Sequence, residues 1–129
     1  MKLLIDTQCW LWMSAHPEKL SRKTHALLMD PSTARLLSAA SIWELAIKYQ
    51  LGKIPLPVAP HDFVPSRLVT TQTDTLSISA PHALRAGLLP PHHRDPFDRM
   101  IIAQALVEGL VVLTADRAFR KYEVERLVP

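Results

Sequence analysis

The chain predicts an α/β sandwich around a mostly parallel sheet, and three observations carry that reading. Short apolar runs of strand character alternate with stretches of helical spacing, and parallel neighbours need such crossovers. Two of those runs, Leu3-Leu4-Ile5 and Val111-Val112-Leu113, are soon followed by an acid, Asp6 and Asp116. The 129 residues, 48% hydrophobic and 21% charged, suit one compact domain over 1–129 with a core that needs neither disulfide nor structural metal.

Taken in order, Lys2 to Ile5 is an apolar run stopped by Asp6, the pattern of a buried strand. Cys9 to Met13 and Ser21 to Met29 read as helices, the second closed by Pro31, and Arg35 to Ala39 as a second strand. Ser41 to Gln50 carries Ile42, Leu45, Ala46 and Tyr49 at helical spacing, with Gly52 as its stop. Pro55, Pro57, Pro60 and Pro65 make the stretch from Gly52 to Pro65 an extended connector. Leu76 to Ile78 predicts a brief strand and Pro81 to Ala86 a short helix closed by Gly87. Phe97 to Val107 is helical up to Gly109, Leu110 to Leu113 is a strand, and Ala118 to Tyr122 a final helical turn or two.

Composition excludes several classes. No uncharged run reaches the ~20 apolar residues that span a bilayer, and Asp6 and Gln8 interrupt the opening apolar residues before they could serve as an export signal. A cytoplasmic protein that keeps its N-terminus is expected. Cys9 is the one cysteine, so no internal bridge forms. A net charge of +3 permits contact with a polyanion without demanding it.

In open sheets of this kind ligands bind beyond the carboxyl ends of the strands, where Asp6 and Asp116 stand. Two more acids fall at predicted helix starts, Glu44 in Ser41-Ile42-Trp43-Glu44 and Asp98 in Asp95-Pro96-Phe97-Asp98. Each has an ordinary explanation: Ser-x-x-Glu is the capping-box pattern, Asp95-Pro96 is a good cap and first turn, Asp98 suits the helix dipole, and strand-end acids often open turns. The set is more telling than its members. Carboxylates packed together repel, and they stay ionised near neutrality only when a cation neutralises them. Hard oxygen donors without a Cys or His cluster favour Mg²⁺ or Mn²⁺ over Zn²⁺, and such a site suits phosphodiester hydrolysis.

The segments Leu4-Ile5-Asp6-Thr7, Ser41-Ile42-Trp43-Glu44-Leu45-Ala46-Ile47-Lys48, His93-Arg94-Asp95-Pro96-Phe97-Asp98-Arg99 with Ile102-Ala103-Gln104-Ala105, and Leu113-Thr114-Ala115-Asp116-Arg117 resemble PIN-domain ribonucleases. They most resemble VapC-like toxins of type II toxin–antitoxin modules, and they cover nearly the whole chain in the family's order. The resemblance implies a three-layer α/β/α fold and a Mg²⁺- or Mn²⁺-dependent endoribonuclease. Asp6, Glu44, Asp98 and Asp116 fall on its acidic positions, with Asp6, Glu44 and Asp98 holding a metal and Asp116 orienting water or helping a second ion. Asp95 is read as a helix cap. The chain departs from close relatives at Gln8-Cys9, where they often carry His. The resemblance further implies an RNA substrate, a cognate antitoxin and a homodimer.

Thr7 and Thr114 are candidates for hydroxyl contacts in the site, with a turn role as the alternative. Lys48, Lys53, Arg94, Arg99 and Arg117 flank the acidic motifs and together form a candidate track for RNA phosphates, though each singly suits a solvated face. Trp10, Trp12 and Trp43 are read as packing residues rather than base-stacking platforms, and His92 and His93 as polar loop residues. Two other classes compete. A non-catalytic RNA- or protein-binding module is favoured where one of the four acids is missing, and none is. A receiver or haloacid-dehalogenase-type phosphatase calls for a paired acid close to the strand-end Asp or a catalytic Lys after a late strand, where this chain reads Asp6-Thr7-Gln8.

Overall fold

The computed structural model describes residues 1–129. Its five strands are β1 (Lys2–Ile5), β2 (Ala34–Ser38), β3 (Thr73–Leu76), β4 (Val111–Leu113) and β5 (Arg126–Leu127). They pair in the order β3-β2-β1-β4-β5, every pair parallel. The helices are α1 (Thr7–Ala15), α2 (Arg22–Met29), α3 (Ala39–Gln50), α4 (Pro60–Thr70), α5 (Ala80–Leu88) and α6 (Pro96–Glu108), with 3₁₀ turns at Pro17–Lys19 and Arg117–Lys121.

Side-chain alternation along the strands divides the core in two. Leu3, Ile5, Leu37 and Leu113 pack with Cys9, Trp10, Leu45, Phe63 and Val64, all on or beside α1, α3 and α4. Leu4 and Val112 point to the other face and pack with Ile101, Ile102 and Ala105 of α6 and with Phe119 and Tyr122. The chain order explains the split. From β1 to β3 the strands advance in one direction, and right-handed crossovers put α1 to α4 on one face. The chain then passes back across the sheet to β4, and the same handedness puts α5 and α6 on the opposite face. Three layers result, and the reversal leaves a switch point between β1 and β4 at the carboxyl ends of the strands.

Several expectations shift. α3 starts at Ala39, capped by Ser38, so Ser41 and Glu44 form no capping box; Ser41 is buried inside the helix with an unpartnered hydroxyl. The proline-rich segment is not wholly extended. Pro60 takes the first position of α4, where a missing N–H is harmless, and Pro65 lies inside it, offset by burial of Phe63 and Val64. The strand expected at Leu76 to Ile78 lies at Thr73–Leu76, set by pairing of Arg35–Ser38 with Thr73–Leu76 rather than by hydrophobicity. Gly87 sits within α5, which ends before Pro90, and β5 is too short to announce itself. Gly52 does close α3: at φ +69° it lets its own N–H reach Tyr49 O and that of Lys53 reach Lys48 O, the Schellman pattern.

Candidate active site

Adjacent pairing of β1 and β4 brings Asp6 and Asp116 to one edge, and the N-terminal portions of α3 and α6 deliver Glu44 and Asp98 to the same place. An open cleft of about 360 Å³ there is lined by Asp6, Glu44, Asp95, Asp98 and Asp116 together with Thr7, Gln8, Leu11 and Lys48. Five carboxylates thus face one ammonium.

Each acid is held by the local fold. Asp6 caps α1, accepting the Cys9 N–H through Oδ1 at 2.7 Å. Burial pushes the Asp6 carboxyl up; the Thr114 hydroxyl and the Cys9 amide oppose that shift, and Asp116 adds to it. Below it the Cys9 thiol is buried and pushed well up by burial and by Asp6, which leaves it inert as a nucleophile. Glu44, with its side chain only 6% exposed, accepts the Thr7 hydroxyl at 2.6 Å through Oε1 and the Lys48 ammonium at 2.6 Å through Oε2. That pair raises the pKa of Lys48. Asp116 caps the 3₁₀ turn by accepting the Ala118 N–H through Oδ1 at 2.9 Å and turns Oδ2 towards His93. Asp98 stands in the first turn of α6, and its carboxyl is pushed up to about 7, first by burial and then by Asp95, with Glu44 and Asp116 adding and His93 opposing. Asp95 caps α6 as expected, accepting the Phe97 N–H at 2.9 Å, while also lining the cleft.

His93 lies in a loop as expected, but it is more than a polar loop residue. Its Nε2 lies 3.0 Å from Asp98 Oδ2 and 3.0 Å from Asp116 Oδ2. The available signal was its place in the run His93 to Arg99, five residues before Asp98. Arg99 is put to another use than contact with RNA: its guanidinium donates to the carbonyls of Ala86, Leu89, Pro90 and His93 at 2.8 to 3.3 Å. Thr114 accepts the Asp116 N–H at 3.0 Å, the turn role, and also serves Asp6. Arg94, Arg117 and Lys53 are exposed, whereas Lys48 is taken by Glu44. Trp10 is fully buried against Phe63, as packing required, and Trp12 borders the same core. Trp43 is 61% exposed and meets only the edge of Phe97 in an aromatic pair, contrary to the packing reading.

The donor set fits a hard divalent cation: carboxylates predominate, burial and mutual repulsion leave two of them reluctant to ionise, and one lysine cannot neutralise five. Asp6, Glu44, Asp98 and Asp116 all line this cleft.

No helix is long and apolar enough to cross a membrane. Among known proteins, the chain is 43% identical over 60 residues to ribonuclease VapC16 of Mycobacterium tuberculosis, an alignment spanning 46% of this chain and 43% of that protein's length. It is 28% identical over 127 residues to ribonuclease VapC22 of the same organism, spanning 98% of this chain and 95% of the relative. The fold matches a chain of VapBC2 from Rickettsia felis, solved bound to a DNA fragment from its promoter, with a TM-score of 0.75 at 15% identity over 99% of this chain and 98% of that one. The model of the PIN domain matches residues 3–125, nearly the full length, and the chain belongs to the PIN domain family.

Proposed function

We propose that this protein is a divalent-metal-dependent endoribonuclease and the toxin of a type II toxin–antitoxin pair. The observation that carries this is the convergence of Asp6, Glu44, Asp98 and Asp116 on one cleft at the switch point of a parallel sheet. Support comes also from the family match and from two relatives that are named ribonucleases.

In this reading Asp6, Glu44, Asp98 and Asp116 hold Mg²⁺ or Mn²⁺, which supplies Lewis acidity and positive charge for hydrolysis of an RNA phosphodiester. Asp116 orients the attacking water, and a carboxylate beside it takes the proton. Thr7 fixes one oxygen of Glu44, and the Cys9 amide fixes Asp6, so the acids keep their geometry before substrate arrives. Lys48 offsets part of the charge at Glu44. Arg94 and Arg117, exposed on the flanking segments, contact phosphates of the bound strand.

The antitoxin reading draws on the motif resemblance and on an apolar groove of about 270 Å³ lined by Trp12, Pro55, Leu56 and Phe63. The groove shares Gln8, Leu11 and Ile54 with the acidic cleft, so a bound tail would run directly towards the acids. A homodimer and a cytoplasmic location complete the proposal. The test is RNA cleavage with Mg²⁺ or Mn²⁺, abolished by EDTA and by Asp6→Asn. Equal cleavage by wild type and D6N refutes the site.

A further inference from the structure

The irregular segment 89–95 is fastened more firmly than a surface loop requires, and its hydrogen bonds converge on one ring. The His93 N–H donates to Tyr122 Oη at 2.8 Å, and that hydroxyl donates to Pro90 O at 2.7 Å. Arg99 gathers four carbonyls of the same segment and the preceding helix end, His93 O included. The ring itself stands edge-on to the buried Phe119, with centroids 6.1 Å apart, and its side chain is only 15% exposed.

Its two nitrogens have different work. Nδ1 lies 3.2 Å from the Asp95 amide nitrogen, and a backbone N–H can only donate, so Nδ1 carries no proton. The ring proton is therefore on Nε2, the atom 3.0 Å from both Asp98 Oδ2 and Asp116 Oδ2. A protonated nitrogen has no lone pair for a cation; here it donates to Asp116 Oδ2, while Asp98 Oδ2 stands beside the same N–H as a close electrostatic contact. Those acids come from different elements, α6 and the turn after β4, and nothing else in the structure bridges them.

We propose that His93 is a positioning residue that anchors Asp116 through its Nε2–H and keeps Asp98 beside it, held in that tautomer by the Asp95 amide, and that it is not itself a metal ligand. The inference rests on the metal-dependent reading above and deepens it. Residues that orient ligands in this way are typically worth about 10- to 100-fold in metal affinity.

The test measures Mn²⁺ binding by calorimetry and the electron spin-echo spectrum of the Mn²⁺-loaded protein, with thermal unfolding in EDTA to check each variant's fold. His93→Ala is expected to weaken Mn²⁺ binding by about 10- to 100-fold. His93→Gln, whose amide nitrogen reaches about as far as Nε2 and donates, is expected to recover most of that loss. The wild-type spectrum is expected to lack a directly coordinated imidazole nitrogen. A coordinated nitrogen, equal weakening in both variants, or unchanged affinity in H93A each overturns the proposal. The spectrum needs no variant, so a failure of H93A to fold leaves it decisive. Mn²⁺ bound as expected without cleavage of RNA refutes the nuclease reading and leaves this inference standing.

Discussion

Replacing Asp98 by Asn removes a negative charge that the metal-free protein holds at a cost. The carboxyl sits beside Asp95, Glu44 and Asp116 and is pushed up to about 7. An ordinary aspartate titrates near ~3.9, so holding this carboxyl at about 7 corresponds to ~4 kcal/mol above neutrality. That is a ceiling, because the side chain is 21% exposed on an open cleft and water screens part of the repulsion. We expect D98N to be about 1–3 kcal/mol more stable than wild type at pH 8 in EDTA, or roughly 4–12 °C in Tm for a chain of this size.

The pH dependence follows from the direction of the shift. Between the ordinary carboxylate value and about 7 the folded state keeps a proton on Asp98 that the unfolded chain has released. Stability of the metal-free wild type therefore falls as pH rises through that window. Asp6, pushed up by burial, acts in the same direction. The advantage of D98N shrinks to roughly a third at pH 5 and vanishes only below the ordinary carboxylate value, and Mn²⁺ raises the Tm of wild type far more than that of D98N. Calorimetric scans at pH 5 and pH 8, with EDTA or Mn²⁺, read all four quantities. A D98N protein no more stable than wild type at pH 8 in EDTA would refute the claim that these carboxylates repel one another across one cleft.

Asp6→Asn keeps the cap on α1 and abolishes cleavage, whereas Asp6→Ala additionally loses the Cys9 N–H bond and about 1 kcal/mol of stability, read by urea unfolding of both variants. Thr7→Val frees one oxygen of Glu44 and is expected to lower kcat/KM by about tenfold with little change in Tm, as measured in single-turnover cleavage assays. Arg99→Lys loses the planar fork that joins four carbonyls; about 1–3 kcal/mol of stability goes with it, while the salt slope of RNA binding stays as in wild type. Arg117→Ala does the opposite, leaving Tm unchanged and reducing the salt slope by about one on a cleavage-dead background.

What was legible in the chain follows from which forces are local. The apolar runs at Leu3 to Ile5 and Val111 to Leu113 announce strands because a parallel sheet buries both faces, and the split of Leu3 and Ile5 from Leu4 adds the helical layers. The helix over Pro60–Thr70 was hidden because its two prolines outweigh propensity in any local reading, while burial of Phe63 and Val64 is visible only once the sheet exists. Thr73–Leu76 was misplaced for the same reason: register with β2 decides it, and Thr73 to Thr75 carry no hydrophobic signal. The four acids could be named from motif order, but His93 could not be assigned a partner, since it meets Asp98 and Asp116 through the bend of a loop.

The sequence posed capping and ligation as rival uses for these acids, and for the aspartates at element starts a cap proves compatible with a place in the cleft. Asp6, Asp95 and Asp116 each accept a backbone N–H two or three residues ahead, and all three also line the cleft. A cap fixes the side-chain rotamer of a residue that would otherwise be free to turn away from its neighbours' charge. It thereby holds a carboxylate where repulsion alone would not leave it, which is the condition for a site assembled before any cation arrives. Glu44 and Asp98 lack a cap and are secured instead by side chains, Thr7 with Lys48 in one case and His93 in the other. Asp-to-Asn substitution preserves the caps and removes only charge, so any difference between the Asn and Ala variants at positions 6 and 116 measures the cap, and the loss common to both measures the ligand.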